Sequence, residues 1–203
     1  MIRLLLASAS QGRLATLRRA GVEPLVQASG VDEDLVLTTV TDTVGPAEAA
    51  LLLARAKAEA VAATADDAVV VGCDSVLELD GAAHGKPRDA AQATARWQAM
   101  RGRSGVLHSG HWVIDLRAVG RGGATGAVAS TTVHFAEVTD DEIDAYVATG
   151  EPLHVAGGFT IDGLGGAFVE GVEGDHHNVV GLSLPLLRRL LGDLGVRWTD
   201  LWS

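Results

Sequence analysis

The sequence predicts an α/β protein, and three stretches carry that prediction. Ala68-Val69-Val70-Val71 is an apolar, β-branched run of the kind buried on both faces of a sheet. Ile2–Ala7 gives way to Ser8-Ala9-Ser10-Gln11-Gly12-Arg13 and then to Leu14, Leu17 and Arg18 at helical spacing, which reads as strand, turn and helix. Gly45–Ala63 is the longest helix candidate, with Ala49, Leu52, Leu53, Ala56 and Ala60 as its apolar stripe. A chain of 203 residues can bury a full core. It is read as a single domain over residues 1–203, with room for two small lobes.

The remaining elements follow in order. Ser8 or Ser10 caps the first helix, and the same junction of hydroxyls, Arg13 and free helix N–H groups suits a phosphate. Pro24–Ala28 reads as a short strand. Val31-Asp32-Glu33-Asp34 reads as a loop whose acids suit plain solvation or, as hard oxygen donors, Mg²⁺ or Mn²⁺. Asp89–Met100 is a second helix, with Ala90, Ala93, Trp97 and Met100 on one face. Val106–Leu116 is a strand, so His108 and His111 point to opposite faces and do not form a metal pair. Gly120–Gly126 lacks the order of a P-loop and reads as a hairpin connection into the strand Ala127–Val138. Thr139-Asp140-Asp141-Glu142 is a capping box opening a helix to Val147. The glycine-rich run Ala156–Gly166 suggests strained turns or close approach to a ligand. Ala167–Val172 reads as a strand, and Ser183 opens a final helix to Leu194.

The chemistry concentrates in Asp66–Pro87. Asp74 follows the buried valines, which places a carboxylate at a strand exit, where ligands of α/β folds bind. Val76–Leu79 reads as a second strand and Asp80-Gly81 as a hairpin turn. That hairpin returns the chain through His84 to Gly85-Lys86-Pro87 and brings Lys86 toward Asp74. The chain has two lysines, Lys57 and Lys86, against fourteen arginines. Either codon usage left two over, or these positions need a compact point charge where a planar fork would not serve. Asn178, the only asparagine, stands out in the same way.

Composition narrows the function. A net charge of −10 argues against a nucleic-acid polymer as partner, while a small polyphosphate needs only local cations and a metal. The single Cys73 excludes an intrachain disulfide framework and fits a reducing, cytoplasmic setting. Leu4–Ala9 is too short and too close to the start for a signal-peptide core, and no segment reaches the roughly 20 apolar residues of a membrane span. A dinucleotide oxidoreductase fails for want of GxGxxG after the first strand.

Six motifs in order give a resemblance that covers nearly the whole chain. These are LLASASQGR, VDED, LARAKA around Lys57, GCDSVLELDG with the following GKP, GEPLHVAGGFTIDGLG, and EGVEGDHHNVVGLSL with its closing helix. Together they resemble the Maf proteins, nucleoside triphosphate pyrophosphatases of the inosine-triphosphatase-like superfamily. The resemblance implies a two-lobed mixed-sheet α/β fold with flanking helices around a central cleft, and a homodimer. It implies hydrolysis of a nucleoside triphosphate, standard or non-standard, to the monophosphate and pyrophosphate with Mg²⁺ or Mn²⁺. By motif, Asp74 would be the general base, with Lys86 and Glu33 in the catalytic set and Glu33 and Asp74 on the metal. Ser8, Arg13, Lys57 and Lys86 would hold the polyphosphate. Ser75 and Asp162 fall in motifs that resemble base-selecting regions. Gln11-Gly12 stands where Pro-Arg is common in the family, which removes one cation. A nucleotide-binding regulator of cell division with little turnover is the alternative. It needs no base, so the retained Asp74, Lys57 and Lys86 favour the enzyme.

Overall fold

The computed structural model describes residues 2–38 and 44–202. Its strands are β1 (Leu4–Leu6), β2 (Leu25–Val26), β3 (Val69–Leu79), β4 (Ala82–His84), β5 (Ser104–Asp115), β6 (Gly123–Phe135) and β7 (Val169–Glu173). Its helices are α1 (Gln11–Arg19), α2 (Glu33–Thr38), α3 (Pro46–Ala62), α4 (Ala90–Met100), α5 (Asp140–Ala148), α6 (His176–Val180) and α7 (Leu184–Asp193). The strands form one mixed sheet in the order β2-β1-β3-β5-β6-β7, with β4 also on β3. β1 runs parallel to β2 and β3, and the other pairings are antiparallel.

The central strand departs from the sequence reading. Gly72-Cys73-Asp74-Ser75 is the middle of a strand and not its exit, and Val76–Leu79 continues β3 rather than starting a second strand. Gly72 looked like a break but marks a close approach. A Cβ there would lie 2.1 Å from Ala54 O and 2.8 Å from Ala58 Cβ. On β5, a Cβ at Gly110 would lie 2.2 Å from Ala50 O. The two glycines form a trough into which α3 sinks. The buried stripe of α3 is accordingly Ala49, Ala50, Leu53, Ala54, Lys57, Ala58 and Val61, so Leu52, Ala56 and Ala60 lie off it. In so alanine-rich a helix, the small residues facing the trough set the phase, and Lys57 falls within the stripe.

What does end near Asp74 is the neighbour. β5 pairs with β3 from Val69 to Glu78, so β1 and β4 must share its other edge. β1 covers Val69–Val71 and β4 covers Leu77–Leu79. Residues 72–76 therefore border a gap between them. Asp80 and Gly81 turn the hairpin with φ of 54° and 77°, the left-handed pair that a two-residue turn requires.

The core is in three clusters. Leu4, Leu6, Val69, Val71, Cys73 and Val113 pack against α1 and α7. Leu77, Leu79, Leu107, Val133 and Phe135 pack against Trp97, Met100, Ile143 and Tyr146 of α4 and α5. Both clusters lie on the face of β3 that carries its odd-numbered residues. Between them the same face is polar and buried: Ser75, Ser109, His111, Thr131 and Arg13. Asn178 closes this belt, donating from Nδ2 to Leu107 O, Ala129 O and Thr131 Oγ1. A third cluster, with Leu5, Ala58, Val61 and Val70, lies under α3 on the opposite face. Among the described residues, no helix is long and apolar enough to cross a membrane.

Candidate active site

Asp74 sits on the α3 face of β3, beside the gap, and is 7% exposed. Its Oδ1 accepts from Lys57 Nζ at 2.5 Å. The same ammonium donates to Glu33 Oε1 at 2.6 Å. Glu33 is not in a loop, as its acidic neighbours suggested; it opens the short helix α2, and its side chain is half-exposed. Lys57, 9% exposed, thus stands between two carboxylates, carried there by the descent of α3 into its trough. Burial pushes the Asp74 carboxyl above the ordinary aspartate range, and Lys57 and then Arg13 offset only part of that rise.

The ammonium expected at Asp74 was that of Lys86. The hairpin does return the chain, but Lys86 is exposed on its turn and makes no ion pair among the described residues. Its turn is anchored: Arg96 donates to Gly85 O at 2.6 Å, and Gly157 N donates to the same oxygen at 3.1 Å. Lys86 therefore stands exposed on an anchored turn after β4.

Ser8, Arg13 and Ser75 meet on the other face. Arg13 is 8% exposed and donates to Ser8 Oγ (3.0 Å), Cys73 O (2.8 Å), Ser75 Oγ (3.1 Å) and Gly181 O (2.9 Å). Its guanidinium is built into the protein. It covers the open edge of β3 at Cys73 and ties α1 to the turn before α7. Ser75 is also held by Ser109 Oγ at 2.8 Å. These residues support Asp74 from behind, while Lys57 and Glu33 flank it.

Asp162 lies exposed in the glycine-rich loop, with no hydrogen bond or ion pair among the described residues. The residue that shapes this loop is Glu151, which the sequence reading passed over. Its carboxylate accepts from Tyr146 Oη (2.9 Å), Thr160 Oγ1 (2.5 Å), Leu164 N (3.1 Å) and Gly165 N (3.1 Å). The signal was the acid just before Pro152 and nine residues from Thr160, which only the fold brings together. His111, assigned no role from sequence, is fully buried in the polar belt. Nδ1–H donates to Ser109 O (3.0 Å) and Nε2 accepts from Ser183 N (2.9 Å). Burial drives its pKa down to about 4.

Glu33 and Asp74 can be tested for a divalent cation. Their Oε1 and Oδ1 converge on one point, and that point is taken by a cation, the Lys57 ammonium. Carboxylate oxygens are the hard donors Mg²⁺ or Mn²⁺ takes, so the donor chemistry fits, with the outer oxygens Glu33 Oε2 and Asp74 Oδ2 left for a metal while the ammonium holds the inner pair.

A mixed sheet with helices on both faces, gapped beside a buried carboxylate and its ammonium, defines an α/β protein with its titratable groups gathered at a break in the sheet. The chain belongs to the Maf-like proteins, whose family model matches residues 3–194. It is 59% identical over 203 residues to a nucleoside triphosphate pyrophosphatase of Streptomyces coelicolor, covering 99% of this chain and 95% of that protein. It is 60% identical over 207 residues to a nucleoside triphosphate pyrophosphatase of Salinispora tropica, covering 100% of this chain and 88% of that one. Among solved structures, the Ham1 protein of Staphylococcus aureus aligns over 98% of this chain and 93% of its own, with 12% identity and a TM-score of 0.42.

Proposed function

We propose that this chain hydrolyses nucleoside triphosphates to the monophosphate and pyrophosphate, with Asp74 as general base. The observation that carries the reading is a carboxylate buried beside the sheet gap, joined to Glu33 through the Lys57 ammonium. Burying a carboxylate costs stability, and a site that only binds nucleotide does not need one there. The names of the relatives above support the same activity.

In this reading a water molecule lies against Asp74, whose Oδ2 takes its proton. The water oxygen bonds to the α-phosphorus as the bond to the bridging oxygen breaks, and pyrophosphate leaves with the electron pair. Lys57 and Lys86 face the polyphosphate, one from α3 and one from the turn after β4. Arg13 adds its charge through the protein. Lys57 is already shared by two carboxylates, so these side chains alone do not balance a ligand of about four negative charges. A divalent metal on Glu33 and Asp74 would supply the missing positive charge.

The test is product analysis in ¹⁸O-water without added inorganic pyrophosphatase. The expected result is label in the nucleoside monophosphate, none in pyrophosphate, and loss of turnover on chelation. Label in orthophosphate, with the diphosphate nucleotide accumulating, would refute the reading. A folded protein that binds nucleotide and turns over none would favour the regulator.

A further inference from the structure

The sheet face that carries Asp74 continues past α3 as a row of polar side chains with no part in the hydrolysis described above. Asp74 pairs with Gly110, Val76 with His108, and His108 with Ser130, all on the even-numbered face of β3. His108 is therefore the diagonal neighbour of Asp74, a residue separation of about 7–8 Å. It is 8% exposed and held at both nitrogens. Nε2 is 2.9 Å from Glu78 Oε2 and Nδ1 is 2.8 Å from Ser130 Oγ. One step further the pattern repeats, with His134 between Ser104 (2.7 Å) and Glu173 (3.1 Å).

This half of the face is open. Glu78, Val106, Thr132 and His134 are half-buried, and Ser104, Ser130 and Glu173 are exposed. The opposite face of the same strands is packed by the Trp97–Phe135 cluster. A sheet face left open beside a reactive carboxylate is a floor on which a bound molecule can lie.

The relay has a polarity. A carboxylate oxygen accepts, so Nε2–H donates to Glu78 Oε2. Ser130 Oγ pairs with Nδ1, and the groups left facing outward are the second Glu78 oxygen and the remaining valences of the Ser130 hydroxyl, so acceptors dominate this surface. A polyphosphate, itself made of acceptors, is repelled by such a surface, and a ligand bearing N–H or O–H donors suits it.

We propose that Glu78, His108 and Ser130 form the nucleoside subsite of the cleft. They receive donor groups of the sugar or the base while the triphosphate lies against Lys57 and Lys86. His108 is a positioning residue that fixes the other two. The inference rests on the phosphate-binding part of the reading above, and not on which phosphorus is attacked.

Calorimetric titration tests it, in one magnesium-containing buffer, with Glu78→Gln, His108→Gln and the exposed Ser130→Ala against wild type. The probes are an α,β-methylene nucleoside triphosphate, its 2′,3′-dideoxy form, and inorganic tripolyphosphate. Glu78→Gln removes a negative charge, which by electrostatics alone would tighten every anion. The expected result is the opposite for the nucleotide analogue, about tenfold weaker binding, with tripolyphosphate no weaker than in wild type. If the penalty disappears with the dideoxy analogue, the donors are sugar hydroxyls; if it persists, they are on the base. Equal weakening of both ligands, or no weakening of the nucleotide in variants that melt like wild type, would overturn the proposal. Should the ¹⁸O experiment fail while these titrations succeed, the hydrolysis reading falls and the subsite stands.

Discussion

Asp74 is expected to be dispensable for folding and indispensable for turnover. Asp74→Asn keeps the shape, removes a buried charge and leaves Lys57 paired with Glu33, so its melting temperature should stay within a few degrees of wild type. Turnover should fall by roughly 10²–10⁴, the scale for losing a general base; a folded variant with near-normal turnover would exclude Asp74 from that role. Because the Asp74 pKa is raised, the acid limb of kcat/KM should lie above the usual aspartate value of about 3.9. Lys57→Met removes the largest counteracting charge, so this limb should move to still higher pH as activity falls. His111 gives a separate signal in stability. Its folded pKa of about 4 lies below the unfolded value of about 6.5, so stability is full above pH 6.5 and declines as pH falls from there toward 4. His111→Gln, which keeps an acceptor for Ser183 N, should flatten that decline in denaturant titrations at pH 7 and 4.5. Lys57 and Asp74 drew notice in the sequence, one as a rare residue type and the other as an acid after a buried run, although the ammonium expected at Asp74 was that of Lys86 and the structure puts Lys57 there. The burial of Arg13 was not legible, since its four acceptors lie between five and 168 residues away.

Among elements, the placing of α3 decides whether the site exists. Gly110→Ala would press a methyl group against Ala50 O and C at 2.2 and 2.4 Å, backbone atoms that no rotamer change can move. The expected cost is about 1–3 kcal/mol, the range for overpacking, with a fall in activity because Lys57 is lifted off Asp74. Ala50→Gly should not rescue it, since the obstacle is the peptide group; full rescue would show that α3 is not seated as described. Most elements were legible. The Asp80-Gly81 turn, the Thr139–Glu142 capping box and the opposite facing of His108 and His111 all stand in the structure as local rules require. What local rules misread was Gly72, because a glycine beside a helix and a glycine ending a strand look alike until the helix is in place.

On the scale of the whole molecule, the two large apolar clusters share their strands. β3, β5 and β6 each pass from one cluster through the polar belt into the other, at Cys73–Leu77, Val113–Leu107 and Ala129–Val133. This architecture was only partly legible. Sequence patterns show which residues are apolar, whereas the division of one strand between two cores depends on which helices cover each half. Sharing has a thermodynamic consequence. Neither half can melt and leave the other intact, because melting one withdraws the strands on which the other is packed. Scanning calorimetry should give one transition with equal calorimetric and van't Hoff enthalpies, in spite of the cleft. A nucleotide bound in the gap should raise that single transition without splitting it. The same linkage makes the polar belt a coupling element, so a cavity opened at Trp97 should loosen amide protons in β1 as much as those beside it in α4.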